Sequence, residues 1–211
     1  MVKVKLAIFD HDMTIVDSSD AITTGMNALA KGKGLRPVTK EEVKKGIALP
    51  IREAFFALWG KSDPSWVDYY RDSIVDLEHK LIKPYNDTIP TLTELKKRGA
   101  KLAVASNRQN PKEALKKTNL LQYFDDVIGL FDGVAPKPSP EMLNVLMQRF
   151  NVTNDETVYV GDSIIDIETA VSARVCGVGV TTGNHGSGEL ISAGAWKSID
   201  NLWELTECLT F

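Results

Sequence analysis

Cysteine is scarce in this chain, with two residues, Cys176 and Cys208, among 211. They stand far apart and neither belongs to a C-x-x-C pair, which argues against a zinc site or a dithiol redox motif. Cys176 lies in the apolar run Val175-Cys176-Gly177-Val178 and reads as a small buried hydrophobe. Long apolar runs are missing too, since nothing approaches the roughly 18 residues of a membrane span. The run Leu6-Ala7-Ile8-Phe9 is too short for the apolar region of a signal peptide, and two carboxylates follow at once. A large excess of one charge sign is also absent. The formal net charge is −3 and the pI about 5.7, so neither nucleic acid nor an anionic membrane is expected as a partner. There is no internal repeat and no low-complexity segment. What remains is 43% hydrophobic and 25% charged residues, the balance of a soluble globular protein. The length suits one large domain or a domain with an insertion. The expectation is a reduced, cytoplasmic protein, monomeric or homodimeric.

The most informative stretch comes first. Leu6-Ala7-Ile8-Phe9 is too short for a helix and reads as a buried strand of a parallel sheet. It ends in Asp10-His11-Asp12-Met13-Thr14. Open α/β sheets bind ligands beyond the carboxyl ends of their strands, which would put Asp10 in such a crevice. Residues i and i+2 of an extended chain share a side, so Asp10 and Asp12 can face one substrate while His11 points away. Two crowded carboxylates repel unless a cation or a shared proton relieves them. A strand ending in a solvated turn would also carry aspartate there.

Residues 17–81 show helical spacing throughout and no strand-like alternation. Gly34 suits a helix end, Thr39 with Glu42 suits a capping box, and Pro50 suits the first turn of a helix carrying Ile51, Phe55 and Leu58. A further helix is predicted from Pro64 through Leu77. After Pro84 the pattern alternates. Strands are predicted over 101–105, 126–129, 157–160, 175–180 and 196–199, and helices over 88–98, 111–119, 140–150, 164–173, 189–193 and 202–209. Alternating strands and helices imply an α/β fold, a doubly wound parallel sheet with helices on both faces. Residues 1–14 and 84–211 then form the core, interrupted by a helical domain at 15–83. The run 183–188 is Gly-rich and reads as a turn before a helix.

Several strands finish in polar residues of complementary kinds. Besides Asp10 and Asp12 there are Ser106 and Asn107, then Lys137 between two prolines, then Asp162 with Asp166 one helical turn on. In a doubly wound sheet these ends converge. Carboxylates together suit a hard divalent cation, and Mg²⁺ prefers one or two of them with water and phosphate oxygens. A hydroxyl, an amide and an ammonium beside the metal supply donors for an anion. The set asks for a phosphate ester, with an aspartate as the covalent nucleophile.

Here the chain resembles the haloacid dehalogenase superfamily over essentially its whole length. Asp10-His11-Asp12-Met13-Thr14 is similar to the first motif, D-x-D-x-T; Ser106-Asn107 to the second; Lys137-Pro138 to the third. Gly161-Asp162-Ser163-Ile164-Ile165-Asp166 is similar to the fourth, G-D-x-x-x-D. Val16-Asp17-Ser18, Ala135-Pro136-Lys137-Pro138 and Gly177-Val178 resemble its phosphoglycolate phosphatase-like group. The resemblance implies a Rossmann-like core with an inserted α-helical cap. It also implies a Mg²⁺-dependent phosphoric monoester hydrolase acting on a small phosphorylated metabolite.

On that resemblance Asp10 is the nucleophile and a metal ligand. Asp12 is the acid and base, with its backbone carbonyl on the metal, and needs a raised pKa to hold a proton. Thr14 orients the loop. Ser106 and the Asn107 backbone hold phosphoryl oxygens, Lys137 pairs with Asp10 and the phosphate, Asp162 binds the metal, and Asp166 supports it directly or through water. Gly46, Lys45 and Arg52 fall where the family's cap places its specificity loop. The sequence departs from the family at Met13, usually glycine, and at His11, usually apolar. A β-phosphoglucomutase-like transferase is a rival reading. It is disfavoured because Ser18, Ser19 and Asp20 stand where that group carries a histidine. A non-catalytic binding protein on the same scaffold is the alternative from another class.

Overall fold

The computed structural model describes residues 2–210. In chain order, β1 is Leu6–Phe9 and is followed by five helices: α1 Ser19–Lys33, α2 Lys40–Lys44, α3 Ile51–Trp59, α4 Pro64–Ser73 and α5 Val75–Leu81. Then come α6 Thr88–Lys97, β2 Lys101–Ala105, α7 Pro111–Lys117, β3 Asp126–Ile128, α8 Glu141–Phe150 and β4 Thr157–Gly161. The chain closes with α9 Ile164–Ala173, β5 Cys176–Val180, α10 Ser187–Ser192, β6 Lys197–Ile199 and α11 Leu205–Cys208.

The six strands form one parallel sheet in the order β3-β2-β1-β4-β5-β6. This is the doubly wound order in which the chain reverses direction between β1 and β4, and ligands bind at that reversal. Phe9 pairs with Val104 on one side and Val160 on the other, so three strand ends lie level. The strands are short apolar runs without alternation because both faces are covered. Successive residues still point to opposite faces. Phe9, Val104, Val160 and Val178 pack with Leu92, Leu95, Leu115 and Leu205 on one face. Leu6, Ile8, Ala103 and Tyr159 pack with Met142, Leu143 and Leu146 on the other.

Helices α1 to α5 build a core of their own from Ile22, Met26, Leu29, Phe55, Leu58, Trp66 and Tyr70. Both connections to this layer run side by side, as Val16–Asp17 pairs antiparallel with Lys83–Pro84. Several local expectations hold. Gly34 ends α1 in the left-handed conformation, and Thr39 and Glu42 make a reciprocal capping box at α2. Two do not. The helix predicted from Pro64 to Leu77 breaks at Ile74, whose φ of −124° leaves the helical range, and restarts as α5. The break lets Ile74 stay in the helical-layer core while Glu78 and His79 also turn inward. The closing helix predicted over 202–209 is a 3₁₀ turn at Leu202–Glu204, then α11, then Leu209–Thr210 in a short parallel pair with Val2–Lys3. Among the described residues no helix is long and apolar enough to cross a membrane.

Phe55 is fully buried and its ring lies 5.9–6.2 Å from those of Trp59, Trp66 and Tyr70. Phe55→Ala is expected to destabilise the protein by about 3–5 kcal/mol. Thermal unfolding followed by circular dichroism checks this.

Candidate active site

At the C-terminal ends of β1 and β4 the chain buries a cluster of charge. Asp10, Asp12, Lys137, Asp162 and Asp166 are all at most 7% exposed. Lys137 Nζ lies 2.7 Å from Asp10 Oδ1 and 2.6 Å from Asp166 Oδ1. Tyr159, pointing inward from β4, donates to Asp166 at 2.9 Å and to the Ala105 carbonyl at 3.1 Å. Asp166 Oδ2 accepts from the Ser163 backbone at 3.1 Å and its hydroxyl at 2.6 Å. Both Asp166 oxygens are therefore taken by protein donors, so this residue holds the lysine and caps α9. Asp166, expected to support a metal, contacts Lys137 and through it is linked to Asp10.

Asp10, Asp162 and Asp166 place carboxylate oxygens within 4.8 Å of one another. Burial, reduced by the charge of Lys137 and reinforced by Asp166 and Asp12, pushes Asp10 up to about 7. Burial, with Asp166 and Asp10 beside it, raises Asp162 well above the carboxylate range. Burial disfavours the charged form of Lys137, but Asp10 and Asp166 outweigh it and hold the ammonium well above its ordinary value. One ammonium among these carboxylates leaves negative charge in excess. Hard oxygen donors with excess negative charge fit a divalent cation such as Mg²⁺. Thr14 donates to Asp162 Oδ1 at 3.0 Å and fixes the second of the two carboxylates facing that space.

Two glycines make room here. A Cβ on Gly161 would lie 2.3 Å from the Cβ of Asp166, and one on Gly183 1.9 Å from Asp162 Oδ2. Residues 183–186 of the Gly-rich run lead into α10, which begins two residues earlier than predicted, at Ser187, and the first glycine lets the backbone press on a site carboxylate.

The turn after Asp12 keeps the left-handed shape that glycine would favour, with Met13 at φ 58°. That conformation costs a non-glycine residue roughly 1–2 kcal/mol. The Met13 side chain is 4% exposed, and burying it returns about 1.5–3 kcal/mol. Thr182 donates to the Met13 carbonyl and pins the turn. His11 is fully buried with Nδ1 3.3 Å from Asp12 Oδ1.

Asp12 departs from expectation. Arg108 donates to both its oxygens, Nε at 2.6 Å and Nη2 at 2.7 Å. Burial alone would raise its pKa, but the charges of Arg108 and His11 outweigh burial and hold it well below the usual range. The raised value expected for an acid is not found in this arrangement, because the guanidinium occupies both oxygens. The third nitrogen of Arg108, Nη1, reaches Glu78 of α5 at 2.6 Å, and Tyr70 of α4 donates to the other oxygen of Glu78. Arg108, Glu78 and Tyr159 were not singled out from sequence, and Tyr70 reads there as helix-packing core. Arg108 follows Ser106-Asn107 directly, which is the one local signal; the others sit unmarked in a helix or a strand.

Ser106 is buried and accepts from the Arg108 backbone at 3.2 Å. The Asn107 side chain accepts from the Lys137 backbone at 2.8 Å and donates to the Ala48 carbonyl of the helical layer at 3.0 Å. A cavity of about 360 Å³ opens above these groups, walled on its far side by the helical layer. Gly46 lines it; Lys45 and Arg52 do not. Arg52 lines a second depression, which shares Leu49, Ile51 and Gln109 with the cavity and is completed by Leu130 and Pro136, and both side chains are exposed. Lys45 lies just past the end of α2 and Arg52 in the first turn of α3, and neither side chain reaches the cavity wall where substrate contact was expected.

The comparisons agree with this geometry. The haloacid dehalogenase-like hydrolase family pattern matches residues 7–180. A phosphoglycolate phosphatase from Neisseria meningitidis is 32% identical over 204 residues, spanning 90% of this chain and 85% of the relative. The pyrophosphatase PpaX of Bacillus velezensis is 27% identical over 180 residues, spanning 84% of this chain and 83% of the relative. A haloacid dehalogenase-like family hydrolase from Streptococcus pneumoniae superposes with a TM-score of 0.85 over 98% of this chain and 99% of the other. At 17% identity it speaks for the fold alone. Sheet order, strand-end carboxylates and the family match over most of the chain lead to one conclusion: this protein belongs to the haloacid dehalogenase-like hydrolase family.

Proposed function

We propose that the protein is a Mg²⁺-dependent phosphatase that hydrolyses a small phosphate monoester through a phosphoaspartate on Asp10. The observation that carries this reading is the buried Asp10–Lys137–Asp166 triad at the reversal between β1 and β4, with Asp162 facing the same space. Relatives named for phosphoglycolate and for pyrophosphate share a phosphate-releasing reaction, and that shared reaction is what we carry over.

Asp10 and Asp162 would hold the metal, with the Asp12 backbone carbonyl beside them. Bound there, Mg²⁺ supplies charge neutralisation for the transferring group. An Asp10 oxygen attacks phosphorus as the bond to the leaving oxygen breaks. Lys137 and Ser106 hold the phosphoryl oxygens. Asp12 gives its proton to the departing alkoxide, so an alcohol leaves. It then takes a proton from a water that attacks the phosphoaspartate, which releases inorganic phosphate and restores Asp10. An O–H on Asp12 needs one of its oxygens free, so Arg108 must let go of one oxygen in the acid step. The helical layer acts as a cap that excludes water from the phosphoaspartate until the alcohol has gone.

Asp10→Asn is expected to lower Mg²⁺-dependent phosphate release by roughly 10⁴-fold or more. The same variant removes one of the crowded buried carboxylates. Its melting temperature without metal at pH 8 is expected to equal or exceed that of the wild type, which separates lost chemistry from lost folding. EDTA is expected to stop release by the wild type and added Mg²⁺ to restore it.

With Asp10 pushed up to about 7 from 3.8, the metal-free folded state keeps a proton between those values that the unfolded chain has lost. Metal-free stability is therefore expected to fall as pH rises from about 4 to 7. Over the range where Asp10 must ionise to receive the ion, Mg²⁺ affinity is expected to rise with pH and binding to release protons. Thermal melts in EDTA and calorimetric titrations in buffers of differing ionisation heat check both signs.

A further inference from the structure

Charge inside the cavity points to the leaving group. Three cationic side chains line it, and each is already matched by carboxylates. Lys137 lies between Asp10 and Asp166. Arg108 is bidentate on Asp12 and also paired with Glu78. Arg71, half exposed at the margin, pairs with Asp68 at 3.0 Å and Asp72 at 2.7 Å. Asp76 and Glu113 also line the walls, paired with Lys117 at 3.9 Å and Lys116 at 2.7 Å. The remaining surface on the side of the helical layer is largely apolar, with Ile22, Met26, Val43, Leu49, Leu58 and Val67.

Arg108 is the group that a substrate carboxylate or second phosphate would seek. It has two carboxylate partners from two parts of the chain. When it releases Asp12 for the acid step, Glu78 still neutralises it, and Tyr70 holds Glu78 in place. At no stage is a cation left over for a second substrate anion. An additional anion would instead be desolvated beside the already neutralised Arg108–Glu78 pair, with no cation to offset that cost. At about 360 Å³ the space matches cavities that enclose molecules of roughly drug size, about 300–1,000 Å³. It far exceeds a two-carbon acid.

Resting on the phosphatase reading above, we infer that this enzyme acts on monophosphates whose leaving alcohol carries no second negative charge and has a sizeable apolar part. Glu78 is the residue that sets this preference by neutralising Arg108. It acts through Arg108 and is a specificity-determining residue.

The test compares esters with similar alcohol leaving groups: phosphoglycolate, its uncharged amide and benzyl phosphate, each with Mg²⁺. For the wild type, kcat/KM is expected to be about tenfold or more higher for the amide than for phosphoglycolate, and highest for benzyl phosphate. Glu78→Gln leaves Asp12 as the one carboxylate on Arg108, so a positive charge is freed whenever Asp12 takes up its proton for the acid step. It is expected to shift the phosphoglycolate-to-amide ratio about tenfold toward phosphoglycolate, a change of ratio that a merely structural role would not produce. The inference is overturned if the wild type uses phosphoglycolate as well as its amide, or if Glu78→Gln leaves the ratio unmoved. Should that variant fold poorly, the wild-type ratio decides alone. Absence of Mg²⁺-dependent release from all three esters would instead overturn the phosphatase reading.

Discussion

The placement of the Lys137 ammonium between Asp10 and Asp166 is the constraint on which the site depends. Taking an ammonium and two carboxylates out of water is costly, and the attraction between them offsets that cost only when the geometry is close and every remaining oxygen is occupied. Four separate segments meet those conditions here. The end of β1 supplies Asp10, the loop before α8 supplies Lys137, the first turn of α9 supplies Asp166, and β4 supplies the Tyr159 hydroxyl. Gly161 has no Cβ because Asp166 needs that volume. The surplus of negative charge left after this pairing is what makes the site receptive to a cation and then to a phosphate.

Much of this was legible in the residues. Parallel strands announced themselves as short apolar runs, and each ended in a polar residue because the sheet stops where the crevice begins. The strand-end residues Asp10, Ser106 and Asp162 stand out for that reason, and Lys137 stands out as a lysine between two prolines in a loop. Helix ends were legible where chemistry dictates them, as at Gly34 and Thr39. What stayed hidden lies on helices and inside strands. Tyr70 is legible as core from its spacing with Trp66 and Ile74, but nothing in that spacing marks its hydroxyl as a partner for Glu78, a charged residue that turns inward after the break at Ile74. Lys45 and Arg52 illustrate the converse. Their charge and their place near Gly46 suggested substrate contact, but side-chain direction depends on how α2 and α3 are rolled against the layer's own core. Met13 shows a third limit: the turn shape survived the loss of glycine because burial of the side chain balanced the strain.

The helical layer and the sheet are joined by polar contacts above an apolar cavity. Arg108 to Glu78 and Asn107 to Ala48 are the hydrogen-bonded and ionic links that cross it near the site. Both originate in the short segment after β2 that also presents Ser106. A shift of the layer therefore bears directly on the residues beside the phosphate position. The same guanidinium that meets Glu78 also holds Asp12, so the position of the helical layer and the freedom of the Asp12 carboxylate are coupled through one side chain.

The central place of β1 has a consequence for how the molecule comes into being. Its partners are β2 and β4, and Phe9 meets Val104 and Val160 only across long stretches of chain. Synthesis delivers β1 first and the helical layer next, while both of its edges wait for strands not yet made. Pairings so distant in sequence carry a high loop-closure cost and form slowly. Until residues 157–161 have left the ribosome, Leu6–Phe9 is an apolar strand with an open edge, the kind of segment that invites misassociation. The strand that carries Asp10 is thus the first to be synthesised and among the last to be enclosed.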